Sequence, residues 1–151
     1  MTIQGLDRLK RKLRTFPATV EAEIRAAMEV SANEVVALAK SLVPRDTGAL
    51  AESIGWTWGD APKGSMTLGK VGGTGNLVIT IYAGDDKAFW ARWVEFGTSP
   101  HTNAGMFAGS ENPGTRAQPF FYPAYRAVRR RVKGRVTRAV NKAAKRIAVG
   151  G

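Results

Sequence analysis

Two segments near opposite ends of the chain repeat apolar residues at a helical period, and a single β-branched run lies between them. That arrangement restricts the chain to an α+β fold. From about Ala18 to Leu42, Val20, Ile24, Met28, Val35, Leu38, Ala39 and Leu42 recur at helical spacing, while Glu21, Glu23, Glu29, Asn33 and Lys40 fall elsewhere around the wheel. Pro17 suits the first turn of this helix, and Pro44 ends it by disfavouring helical geometry at Val43. A second helix is expected from about Pro123 to Ile147, with Ala124, Val128, Val132, Val136, Ala139, Ala143 and Ile147 inward. Leu77-Val78-Ile79-Thr80-Ile81-Tyr82 reads as a strand, and Trp56-Thr57-Trp58 starts another strand-like stretch. The expected architecture is a small antiparallel sheet flanked by two long helices, about 18–42 and 123–147.

The remaining segments read as connections. Asp46 or Thr47 can cap a short helical turn carrying Ala49, Leu50, Ser53 and Ile54. Residues 59–76 and 97–118 are rich in Gly and small polar residues, which predicts two long mobile loops. Phe89 to Phe96 is apolar and mixed, suiting a short helix or strand that enters the core. The 151 residues suit a single domain, 1–151, with a basic N-terminal segment (1–16), a main body (17–147) and a flexible tail (148–151). Within the first of these, Leu6, Leu9 and Leu13 place a short amphipathic helix over the first 14 residues.

Charge is distributed unevenly. Residues 1–111 hold 12 of the 23 Lys/Arg and all 12 Asp/Glu, whereas residues 112–151 hold the other 11 cations and no carboxylate. A neutral body with a strongly basic final helix points to a polyanion or an acidic partner near that helix. Its cations spread around the helix, so only a subset can face one neighbour. Arg129, Arg130, Lys133 and Arg138 are the candidates to face DNA or an acidic partner surface.

Catalytic chemistry lacks its residues. There is no cysteine and one histidine, His101, which leaves neither thiolate chemistry nor a histidine pair. Gly64-Ser65-Met66-Thr67-Leu68-Gly69-Lys70 matches the glycine and lysine positions of a phosphate-binding loop. Val71, however, stands where a magnesium-ligating Ser or Thr is needed, and a glycine run rather than a helix follows. Asp85-Asp86 suits a solvated turn, and no nucleophile elbow surrounds His101. Neither an enzyme nor a cofactor or metal site is expected. No apolar run approaches the roughly 18 residues that span a bilayer, and the N-terminus lacks a signal-peptide core. Synthesis in the cytosol, with no membrane partner, is the expectation.

Three patches are more specific: Leu42-Val43-Pro44-Arg45-Asp46-Thr47-Gly48-Ala49-Leu50-Ala51-Glu52-Ser53-Ile54, then Val94-Glu95-Phe96-Gly97-Thr98, then Pro119-Phe120-Phe121-Tyr122-Pro123-Ala124. In this order, after one long helix and opening another, they resemble the neck or tail-completion proteins of siphophages, similar to the lambdoid minor tail protein Z group. The resemblance covers about residues 20–147. Arg45 and Ala51 depart from the family pattern, which favours a small apolar and a basic residue there. Physically the patches look like scaffold. Pro44 stops a helix, Asp46 and Thr47 offer caps, Gly48 permits a tight approach, and Gly97 allows a positive φ after Phe96. Pro119, Phe120 and Pro123 close the second loop onto the last helix. Glu95, between two apolar neighbours, is expected to accept backbone or arginine hydrogen bonds, either as a clamp within the chain or to fix a loop facing another subunit.

The resemblance implies a structural protein of the virion head–tail junction, made in the bacterial host cytoplasm. It implies a six-fold ring of copies around the DNA channel, in contact with a head connector or stopper, a tail terminator or tail tube, and packaged double-stranded DNA. Trp90, Trp93, Met106 and Phe107 are candidate interface anchors, since aromatics and Met are enriched at interfaces. On charge alone the alternative is a free basic nucleic-acid-binding protein, although no base-reading module or stacking platform is recognisable.

Overall fold

The computed structural model describes residues 18–72 and 77–150. The expected N-terminal amphipathic helix, Pro17, and the inward placements of Val20 and Ile147 lie outside the described residues or side chains. Helix α1 spans Ala18–Leu42. Its buried stripe is Ile24, Met28, Ala32, Val35 and Ala39, spaced by three and four residues as an amphipathic helix requires. Leu42, expected inward, is instead 46 % exposed; Val43, whose N–H reaches the Ala39 carbonyl at 3.0 Å, is buried in its place.

The single turn α2 (Ala49–Glu52) is not capped as expected. Its N-cap is Gly48 at φ 84°, with no side-chain cap, and the Thr47 hydroxyl accepts only a long 3.4 Å contact from the Ala49 N–H. Nothing lies within 4 Å of where a Gly48 Cβ would sit, so backbone conformation rather than space selects glycine here.

Three strands follow, β1 (Gly55–Trp58), β2 (Met66–Gly72) and β3 (Val78–Ala83), in the antiparallel order β1-β3-β2. Gly55 faces Tyr82 across one pair and Met66 faces Ala83 across the other, with a register slip between Thr67 and Lys70. Strand β2 lies inside the segment expected to be a mobile loop. Gly69 and Gly72 weaken its local strand signal, and it is the open edge of β3 that recruits it. Phe89–Phe96 resolves into helix α3 (Ala91–Phe96).

The second expected loop is also structured. Thr98 and Thr115 bridge through backbone bonds of 2.9 and 3.1 Å, and β4 (His101–Thr102) pairs with β5 (Glu111–Asn112). The tip is a 3-10 turn, Gly105–Phe107. Polar residues that read as loop formers make the cross-strand bonds, Thr98 to Thr115 at 2.9 Å and Asn103 to Ser110 at 2.9 Å, while Asn112 accepts locally from the Gly114 N–H at 2.9 Å. Helix α4 then runs from Phe121 to Gly150, starting before Pro123 and extending through part of the segment expected as a flexible tail.

The two long helices pack on each other, antiparallel, and the three-stranded sheet lies against α1. Helix α1 is the shared element because it presents three faces. Its apolar stripe joins Leu50, Ile54, Ile79, Ile81, Phe121 and Val128 in one core. A polar stripe docks the tryptophans of β1: Trp56 donates to Asn33 at 2.7 Å, Trp58 donates to Glu29 at 3.1 Å, and the Arg25 guanidinium lies 4.4 Å from the Trp58 ring centre. The third face meets α4. Glu23 pairs with Arg146, Glu34 pairs with Arg131 and with Arg135 at 2.9 Å, and Arg135 also donates to Ser31 at 3.1 Å. The Arg135 contact to Glu34 Oε2 is an ion pair without hydrogen-bond alignment.

Truncating the buried stripe therefore loosens both packings at once. Ile24→Ala, at a 2 % exposed site, is expected to cost about 2–5 kcal/mol, read from the urea unfolding midpoint of the full chain.

Candidate functional site

The catalytic candidates do not assemble. The segment resembling a phosphate loop ends in strand β2, not in a loop leading to a helix N-terminus. Asp85 Oδ1 accepts from the Lys87 and Ala88 N–H groups at 2.8 and 2.7 Å, which makes it a turn former. His101 contacts the Ser99 carbonyl at 3.0 Å on the exposed hairpin. Among the described residues no group of three or more His, Cys, Asp or Glu could hold a metal, and no helix is long and apolar enough to cross a membrane.

Two of the three motif blocks turn out to be one device. Glu95, in α3 and only 3 % exposed, accepts backbone hydrogen bonds from Phe120 (2.8 Å), Phe121 (2.9 Å) and Tyr122 (3.0 Å). These N–H groups open α4, where no preceding helical turn can supply acceptors. Pro123, next in line, has no N–H to satisfy. A carboxylate at this end also opposes the positive pole of the helix. Gly97 follows at φ 73°, and a Cβ there would lie 2.6 Å from the Thr115 carbonyl oxygen and 2.8 Å from the Ala117 nitrogen. The Gln118 N–H reaches the Val94 carbonyl at 2.8 Å. Glu95, Gly97, Phe120 and Pro123 thus sit together as a clamp within the chain, with Phe120 fully buried and Pro119 exposed beside it.

The first block performs a parallel task. The Ser53 hydroxyl donates to the Leu50 carbonyl at 2.6 Å and accepts from the Gly84 N–H at 3.0 Å, tying α2 to the turn after β3. Pro44, Asp46 and Thr47 lie exposed on its outer side.

What remains outward is a set of surfaces. Phe89, Trp93 and Phe96 are 57, 50 and 59 % exposed, and Phe89 stacks edge-to-face on Trp93 with ring centres 5.4 Å apart. Trp90 is half-buried and packs edge-to-face on Phe89, with ring centres 5.6 Å apart. Met106 and Phe107, at the hairpin tip, are 93 and 69 % exposed. Contiguous exposed aromatics of this kind mark interaction sites more often than solvated surface. Phe89 and Phe96 were not singled out from the sequence, although their spacing from Trp93, four and three residues, is the signal that could have found them.

The four singled-out cations do not share a face. At 3.6 residues per turn, Arg138 lies about 180° around α4 from Arg129. Arg138 is on the flank whose neighbours Arg131, Arg135 and Arg146 are committed to Glu34 and Glu23 of α1. Arg129, Arg130 and Lys133 are on the other flank, at the edge of a groove of about 570 Å³ between α1, α4 and β3. Part of the acidic surface that the basic helix seeks is therefore its own α1.

Residues 7–97 match the HK97-gp10-like family model, described as "Bacteriophage HK97-gp10, putative tail-component". The chain belongs to this family. No curated protein and no solved structure matches. As a member of the HK97-gp10-like family it is a structural tail component of a bacteriophage virion and not an enzyme, in keeping with motif blocks that do scaffolding. The family match includes Glu95 and Gly97 but ends before the N–H groups that Glu95 holds.

Glu95→Ala is expected to destabilise the chain by about 3 kcal/mol or more, because buried N–H groups lose their acceptor. Glu95→Gln, which keeps one oxygen, should lose less. Hydrogen exchange at residues 120–122 checks the cause, since these amides should lose protection more than those of β3.

Proposed function

We propose that this tail component acts at the head–tail junction, as a neck or tail-completion protein similar to the lambdoid minor tail protein Z group. In this proposal copies form a six-fold ring around the DNA channel. They lie between a head connector or stopper and a tail terminator or tail tube, and help join tail to head. The main support is the combination of family membership with a cation-rich helix α4 that lies beyond the matched segment. A helix with ten cations following the hairpin and no Asp or Glu suits the wall of a channel filled with phosphate, or the acidic face of an adjacent ring. The exposed aromatic set and hairpin tip provide surfaces for lateral and axial neighbours.

The direct test is a phage or prophage with a nonsense codon in this gene. Filled heads and separate, full-length tails in the lysate, joined on addition of the purified chain, are expected. Normal joined particles, or particles defective only in tail length, would place the protein elsewhere.

The charge component has its own test. Replacing Arg129, Arg130, Lys133 and Arg138 with Gln should change stability by about 0.5 kcal/mol or less per exposed site. It should lower infectious yield in complementation. If these side chains touch DNA, each one removed reduces the log–log salt slope of duplex binding by about 0.9. Unchanged yield at both low and high salt would return these cations to a solvated face.

A further inference from the structure

We propose that the hairpin tip of one copy docks into the groove between α1, α4 and β3 of the next, an inference that rests on the ring proposed above. The groove has a volume of about 570 Å³, within the range of specific recognition sites, roughly 300–1,000 Å³. Its floor is apolar, formed by Met28 and Val35 of α1 and by Ile79 and Ile81 of β3, and Val132 and Val136 of α4 form one wall. Arg129, Arg130 and Lys133 stand along its edge. It is an apolar slot with a cationic rim, and nothing described in its own chain fills it.

The hairpin has the complementary shape and charge. Met106 and Phe107 project from a 3-10 turn at the end of a two-stranded stem and are the most exposed large apolar pair in adjacent positions among the described residues. Met is flexible and polarizable enough to fill an irregular slot, and Phe supplies a rigid anchor. Glu111 lies exposed on the stem at the base of this tip and is the only carboxylate between Phe96 and the end of the sequence. Seating the tip would bring that single negative charge to a rim of three positive ones. The tip does not occupy its own chain's groove, since none of its residues lines it. Knob and slot are different surfaces, so each copy offers one to each neighbour. A head-to-tail contact of that kind propagates, and it closes into a ring when the rotation per copy permits.

The chain contains no cysteine, which allows an unambiguous test on the full-length protein. Ala108→Cys, beside the anchor at the tip, is made in one preparation and Val136→Cys in another, both at exposed or half-exposed positions, and matching thermal melts verify the fold. Mixed at high concentration under mild oxidation, the pair should crosslink at least ten-fold faster than Ala108→Cys with a control, Lys63→Cys, at another exposed site. Adding Glu111→Lys to the tip variant should slow crosslinking several-fold, and adding Lys133→Glu to the groove variant should restore it. A rate no faster than the control, or a predominance of tip-to-tip crosslinks, overturns the proposal. So does crosslinking of Val136→Cys in assembled virions to a different protein rather than to a second copy. Native mass spectrometry of the unaltered chain separates the two levels. A ring without tip-to-groove crosslinks overturns the docking and leaves the ring standing. Crosslinked pairs that never close support the docking and count against the ring.

Discussion

The carboxylate of Glu95 holds the structure's two halves in register. It takes the first free N–H groups of the 30-residue helix α4 from a position 25 residues earlier, inside a six-residue helix. A helix end buried without acceptors is costly, and no residue next to Phe121 in sequence supplies one. The direction in which α4 leaves the hairpin is thereby set by α3. Everything that α4 carries, the packing on α1 and both cationic flanks, inherits that direction. Gly97 and the Val94–Gln118 bond complete the clamp by letting the chain leave α3 sharply and return beside it.

Helix α1 is the second organising element, because each of its faces has a different partner chemistry. Apolar contact alone would allow α4 to slide or rotate along the stripe from Ile24 to Ala39. The ion pairs of Glu23 and Glu34 with Arg146, Arg131 and Arg135 select one antiparallel register. Such half-exposed pairs add little stability individually, typically about 0–1 kcal/mol, so their effect lies in orientation more than in energy. The tryptophans of β1 are fixed on the opposite side by Asn33 and Glu29. Since each indole N–H is satisfied by α1, the sheet edge stays attached where the apolar core thins out.

A structural virion protein needs a rigid body and surfaces kept free for its neighbours, and here the two are separated by sequence region. The motif blocks at 42–54, 94–98 and 119–124 form internal bonds. The exposed aromatics of Phe89–Phe96, the hairpin tip and the α4 cations lie around them. Replacement of a motif residue should therefore reveal itself in folding, while replacement of an outward residue should reveal itself only in assembly.

By itself the sequence determined the Leu42 end of α1, the central strand and the α+β class. All of these depend on local period or on residue types that a chain either has or lacks. It also marked Glu95 and Phe120 as special without saying that they touch. Strand β2 and the hairpin were hidden, because Gly69, Gly72, Asn103 and Gly114 weaken any local signal and pairing partners far along the chain decide their conformation. The cap at Gly48 was hidden for a similar reason, since Asp46 and Thr47 have the right chemistry and the backbone turns too soon to use it. Only the tertiary structure divided the cations of α4 between an intramolecular ladder and an open flank. That division depends on which face of the helix meets α1, and a wheel of residues has no fixed orientation until another helix packs against it.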